Sequence, residues 1–146
     1  MNSIRLRFDH GAPAAVARQA ARTALTGWRA SYPLEDVLLV VTELVHNVTR
    51  HTADGGELVL TLRADCVLVE VNDTSAVLPT LRQRATRIGG RGLLLVAAVA
   101  KRWGARSRAW AGHAGKVVWA EVGLRPDVPE TSVAANAVRP ISACVP

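Results

Sequence analysis

Residues 34–51, LEDVLLVVTELVHNVTRH, decide the fold, because they place an apolar and a polar stripe on one predicted helix. Their apolar side chains share one broad arc of that helix: Val37, Val41, Leu44, Val45 and Val48. A narrow arc well away from it holds the polar group Asp36, Glu43, Asn47 and Arg50. We expect the apolar arc to pack on a sheet and the polar arc to lie at the flank, open to solvent or to a cleft. A plain solvated face is the simpler interpretation of the polar arc.

The composition is that of one globular domain. The chain has 146 residues, of which 49% are hydrophobic and 21% charged, enough to bury a core. The longest apolar runs are far shorter than the roughly 18 residues of a membrane span, and the first residues do not resemble an export signal. Two cysteines, Cys66 and Cys144, are too few for a disulfide framework and lack metal-ligand spacing. We therefore expect a soluble, cytoplasmic protein.

The net charge of +6 and the isoelectric point near 10.6 make nucleic-acid binding an alternative. The basic residues are scattered as singles and pairs, and the densest group lies in 82–91, beside a glycine cluster. Positive charge there suits a polyphosphate as well as DNA. No recognition helix with base-reading residues is evident, so the DNA-binding alternative rests on charge alone, and salt-dependent retention on DNA would reveal it.

The order of predicted elements is βααββαββ. Alternation predicts a strand over 3–8, an Ala-rich pattern predicts a helix after Pro13, and the second helix runs from about 34 to 52. In the Ala-rich helix one side carries Val16, Ala20, Thr23, Ala24 and Trp28. A hairpin over 57–63 and 66–72, a helix over 93–101 and a hairpin over 103–110 and 116–122 follow. This order predicts an α+β two-layer sandwich, a mixed, largely antiparallel sheet with three helices on one face. Residues 1–124 form the domain, and the proline-containing segment 125–146 is expected to be a disordered tail.

Two further segments carry groups suited to a ligand. Asp73 closes the predicted strand VLVEVND, although a turn residue is the simpler interpretation. Residues 89–93, GGRGL, lead into an apolar helix, where glycines permit a close backbone approach and the first-turn amides attract phosphate. The cluster is neither a Walker P-loop nor a Rossmann fingerprint.

A helix with Glu and Asn four residues apart, then a strand-end Asp, then a glycine loop entering a helix, is the order of the sequence boxes of the GHKL ATPases. The chain resembles that superfamily over roughly residues 3–123, and most closely its small anti-sigma-factor serine kinases and their actinobacterial relatives. The stretches that carry the resemblance are TELVHNVTRH, VEVND, GGRGLLLVAAVAKRWG and GKVVWAEV. It implies a Bergerat-type ATP-binding fold.

The resemblance also implies roles for individual residues. Glu43 would polarise the attacking hydroxyl, Asn47 would bind Mg²⁺, and Asp73 would accept a hydrogen bond from the adenine amino group. Arg50 would lie near the phosphates, which the backbone around Gly90, Arg91, Gly92 and Leu93 would border. The 74–89 loop would be a short ATP lid.

The resemblance implies a homodimeric serine protein kinase that uses ATP and Mg²⁺, binds a sigma factor and phosphorylates an anti-sigma antagonist protein. One departure supports an alternative: both glycines that normally follow the family's Asp are replaced here, by Ser75 and Val77. A partner-binding regulator without kinase activity, with a degenerate nucleotide site, is that alternative. A histidine-kinase catalytic module is set aside, because no helix pair with a phospho-accepting His is present, and His46 and His51 lie within the nucleotide helix itself.

Overall fold

The computed structural model of the chain describes residues 2–9, 14–28, 33–51, 55–74, 92–110 and 112–124. These residues form five strands and three helices. The strands are β1 (Ser3–Phe8), β2 (Gly56–Leu62), β3 (Cys66–Asp73), β4 (Arg102–Trp110) and β5 (His113–Gly123). The helices are α1 (Ala14–Gly27), α2 (Leu34–His51) and α3 (Gly92–Val99). The segment 125–146 and the lid residues 75–89 lie outside the described residues.

The strands form one sheet in the order β1-β2-β3-β5-β4, and all four pairings are antiparallel. The predicted α+β class is confirmed, and among the described strands no parallel pair is present, so the sheet is more regular than the expected mixed one. Two of the four pairings follow from hairpins, and the turn between β2 and β3 is closed by the Arg63 amide, which donates to the Cys66 carbonyl at 2.9 Å. The antiparallel pairing of β3 with β5 places Asp73 directly opposite Lys116.

The three helices cover one face of the sheet, and the core lies between the two layers. Helix α2 is central, because it contacts α1, α3 and strands β2, β3 and β5. Its apolar arc is fully buried, as predicted, and packs on alternate residues of the strands. The strand residues of this core are Phe8, Leu58, Leu60, Val67, Val69, Val71, Trp103, Val118, Ala120 and Val122.

Helix α1 packs against α2 through a stripe of small residues, Ala14, Ala17 and Ala21, followed by Leu25. The side with Val16 and Thr23 is not the buried one, since both side chains are exposed. Alanine has no side chain beyond Cβ, so the alanine stripe lets the two helix axes approach closely, and this outweighs the larger hydrophobic area of Val16.

Candidate functional site

The polar arc of α2 is largely enclosed rather than open at a flank. Asn47 is only 4% exposed, and Glu43 and Asp36 are half-buried. Of the α2 side chains that the structure describes, Glu35 is the exposed one. Of the two expected surroundings, open solvent does not apply to Asn47, because α2 is the middle helix of the layer, with α1 on one side and α3 on the other, while a cleft remains compatible with the half-buried Glu43 and Asp36.

Glu43 lies against the first residue of α3. A Cβ placed on Gly92 would lie 2.6 Å from Glu43 Oε2, closer than real Cβ contacts, so the absent side chain leaves the space that the carboxylate occupies. Within the described part of the chain, the Glu43 carboxylate forms no hydrogen bond or ion pair. A half-buried carboxylate with spare acceptor capacity is thus held at the start of a helix, whose first amide groups carry partial positive charge.

Asp73 ends β3 on the helix-covered face of the sheet. Alternation along the strand puts its side chain on the same face as Val69 and Val71, and the residue is fully buried. It is therefore a core-facing carboxylate rather than a solvated turn residue. The first residues of β2, from Gly56, and the Lys116 part of β5 lie at the same end of the sheet as Asp73.

A lysine that the sequence interpretation missed pairs with Asp73. Lys116 Nζ donates a hydrogen bond to Asp73 Oδ1 at 3.0 Å and lies 2.9 Å from Oδ2, and the side-chain exposures are 1% and 0%. The ammonium group is drawn into the core because it is the cationic partner of a carboxylate that is equally buried, and neither charge would be tolerated there alone. Its signal in the sequence was the alternation Lys116, Val118, Ala120, which puts the lysine on the core face of a predicted strand.

Gly115 makes the close approach of β5 to the end of β3 possible. A Cβ at this position would lie 2.1 Å from the Asp73 carbonyl oxygen and 3.3 Å from that of Arg108. Both neighbours are backbone atoms, which cannot turn away as a side chain can. The glycine before Lys116 therefore helps to hold the Asp73–Lys116 pair in place.

The described residues bring together part of the predicted site. Glu43 meets Gly92, the first residue of α3, and Asn47 and Asp73 are both buried within the same two layers. Leu93 is also buried and belongs to the core cluster, so its side chain packs while only its backbone is available to border a ligand. Gly90 and Arg91 lie outside the described residues, as does the side chain of Arg50.

The oxygen atoms of the described side chains could bind Mg²⁺ only together with ligands from outside the protein, such as phosphates and water. Across the described ranges, no group of three or more His, Cys, Asp or Glu side chains is placed to hold a metal ion. Asn47 and Glu43 lie one helical turn apart and offer hard oxygen atoms, and Mg²⁺ is usually held by one or two protein oxygens together with phosphates and water. These residues fit an ion that arrives with a nucleotide.

The fold and the site define a class: a two-layer α+β domain in which a central helix, the end of a sheet and the start of a second helix enclose polar groups. The chain matches no protein-family model and no curated protein. It is similar to a chain in the crystal structure of the SiaB-SiaC complex from Pseudomonas aeruginosa, with a TM-score of 0.60 and 14% sequence identity. The similarity covers 82% of this chain and 89% of that one. At this identity it shows a shared fold. None of the described helices is both long and apolar enough to cross a membrane.

Proposed function

We propose that the chain is an ATP-binding regulator of the anti-sigma-factor type, which acts as a serine protein kinase on an anti-sigma antagonist protein. The observation that carries this proposal is the contact between Glu43 of α2 and Gly92 at the start of α3. Two of the three segments that resemble sequence boxes of the GHKL ATPases meet there. Asp73, from the third box, is enclosed between the same helix layer and the sheet.

Each polar residue has a role that its surroundings permit. The Glu43 carboxylate, which has spare acceptor capacity, would orient the attacking hydroxyl by accepting its hydrogen bond. The Asn47 carboxamide oxygen would hold Mg²⁺, and the first amides of α3 would border the phosphates. Mg²⁺ supplies charge neutralisation during phosphoryl transfer, and positioning by the protein supplies most of the remainder.

A protein partner is supported by the structural neighbour, which is one of two proteins in a complex. In this proposal the partners are a sigma factor and its antagonist, and nucleotide state controls which of them is bound. A homodimer is the assembly that the resemblance implies.

A second candidate is a partner-binding regulator that has lost kinase activity, and one observation favours it. Lys116 Nζ lies within 3.0 Å of both oxygens of Asp73, the carboxylate that would otherwise read the adenine amino group. An ionised carboxylate has about four acceptor sites, so the lysine reduces its capacity for a base without removing it. The replacement of the two glycines after Asp73 acts in the same direction.

Titration of the purified protein with ATP, with and without Mg²⁺, separates the two candidates. The kinase proposal expects saturable, Mg²⁺-dependent binding that loses its Mg²⁺ dependence in Asn47→Ala and persists in Glu43→Gln, which alters only the residue that orients the hydroxyl. Asp73→Asn is a poor first variant, because it would also break a buried ion pair and unfold part of the population. Absence of binding at millimolar ATP by a folded protein would favour the partner-binding candidate.

A further inference from the structure

The sheet face opposite the helices carries its own set of apolar residues. Val59, Leu68 and Val117 are buried, yet they do not belong to the core cluster between sheet and helices. Alternation along the strands puts them on the other face, together with Trp119. The Trp119 ring lies across Gly104 of β4, since a Cβ there would be 2.8 Å from Trp119 Cζ2.

Ion pairs with a consistent orientation surround these apolar residues. Three glutamate side chains are largely buried on this face, with only 9–19% of their surface exposed. Their arginine partners are much more exposed, at 47–75%. The pairs are Arg5–Glu57 at 3.0 Å, Arg7–Glu57 at 4.0 Å, Arg63–Glu121 at 3.8 Å, Arg102–Glu121 at 2.7 Å and Arg106–Glu70 at 3.9 Å. The carboxylates are thus covered, and the guanidinium groups form the outer layer.

This outer layer retains capacity to bind anions. Each guanidinium has five N–H donors, and the Arg63 and Arg106 pairs, at 3.8 and 3.9 Å, are too long to use them fully. With Arg108, which alternation along β4 adds to the same face, six arginines stand against three glutamates among the described residues. The face therefore carries an excess of three positive charges, which is half of the formal net charge of +6. We call this set of residues the arginine face.

We propose that the arginine face is a docking surface for an acidic segment of a partner protein. Arginine and tryptophan around a small apolar centre are the residue types that are enriched at protein interfaces. Guanidinium groups bind carboxylates in a bidentate manner, which suits aspartate and glutamate side chains. The site on the helix side of the sheet is separate, so this surface does not depend on nucleotide binding.

Two other occupants fit the charges less well. A second copy would bring six arginines against six arginines, and like charges across an interface oppose association. Nucleic acid would place phosphates above three glutamates, and the net excess of three charges offers a weak electrostatic footprint for a duplex.

The test uses a poly-L-glutamate peptide of about 20 residues as the probe, titrated into ¹⁵N-labelled protein. We expect the largest shifts for amides of β3, β4 and β5 and for the Trp119 indole N–H, with affinity that falls as salt rises. Arg63→Gln/Arg106→Gln removes two arginines whose ion pairs are long, at 3.8 and 3.9 Å, so folding should be unchanged. This variant should weaken binding about two- to thirtyfold, since two exposed pairs of roughly 0.2–1 kcal/mol each are removed.

The matched control is Arg18→Gln/Arg22→Gln, which removes the same charge from α1 in the helix layer. It should bind the peptide nearly as tightly as the wild-type protein. Equal weakening by both double variants would show a net-charge effect and overturn the proposal. So would preferential binding of a DNA duplex over the peptide at the same face, or a dimer that only the Arg63/Arg106 variant dissociates, since each assigns the face to a different occupant.

Discussion

The buried pair Asp73–Lys116 offers a prediction whose size follows from the structure. Lys116→Met keeps the length of the side chain but leaves the Asp73 carboxylate, which is 0% exposed, without its cation. Removing one partner of a buried ion pair costs about 3–5 kcal/mol. A domain of this size has a stability of about 5–15 kcal/mol, so the single substitution would remove a large fraction of it. Asp73→Asn, which strands the ammonium group, should cost a similar amount.

Removing both charges should cost much less than the two single changes added together. In Asp73→Asn/Lys116→Met no charge remains buried, and the residual cost is that of one poorly bonded amide, about 1–3 kcal/mol. Urea unfolding followed by tryptophan fluorescence measures all four proteins of this cycle. A coupling of at least 2 kcal/mol is expected. Additivity within about 0.5 kcal/mol would refute the reasoning, because it would mean that the two groups do not depend on each other in the folded state.

Three further predictions concern single side chains. Gly92→Ala should change the free energy of unfolding by no more than about 1 kcal/mol, because the added Cβ displaces only the flexible end of the Glu43 side chain and alanine favours a helix. In the kinase proposal the same substitution should abolish phosphoryl transfer, which a transfer assay with the partner protein would measure. The Arg102 guanidinium holds the pKa of the Glu121 carboxyl below its usual 4.5, so the stabilisation by this pair is present above pH 4.5 and is lost as the pH falls through the lowered pKa. Urea titrations should therefore show that Arg102→Gln is about 1 kcal/mol less stable than the wild type at neutral pH, and that this difference shrinks below pH 4.5. Burial raises the pKa of the Cys66 thiol, so in a chain whose other cysteine is replaced by serine, iodoacetamide should modify it only after denaturant is added; rapid labelling of the native protein would contradict its burial.

The individual elements could be predicted because each has a strong local pattern. The boundaries of β1, α2, β2 and β3 differ from the predicted ones by one residue or less, since alternation, the valine arc of α2 and the Ala64-Asp65 turn are local signals. The longer strand β5 shows where local signals fail. It begins at His113 rather than at Lys116, because its pairing with β4 continues to the turn and that pairing is not encoded in an apolar alternation.

Relations between elements could not be read from the sequence in the same way. The polar arc of α2 was expected at a flank, open to solvent or to a cleft, and only the positions of α1 and α3 on either side reveal that Asn47 is buried. The partner of Asp73 depends on the pairing of β3 with β5, two strands that are separated in the chain by α3 and β4. The alternation around Lys116 indicates which face of the sheet its side chain is on, but only the strand pairing identifies Asp73 as its partner.

The proposed function requires that the groups around Glu43, Asn47 and Asp73 bind a nucleotide with Mg²⁺. Titration of ¹⁵N-labelled protein with a non-hydrolysable ATP analogue and Mg²⁺ tests it most directly, because every described amide reports its own position. The account predicts saturable shifts centred on Asn47, Gly92 and the Asp73–Thr74 peptide, and smaller shifts without Mg²⁺. A folded protein with no shifts at millimolar analogue, or with shifts confined to the arginine face, would contradict it.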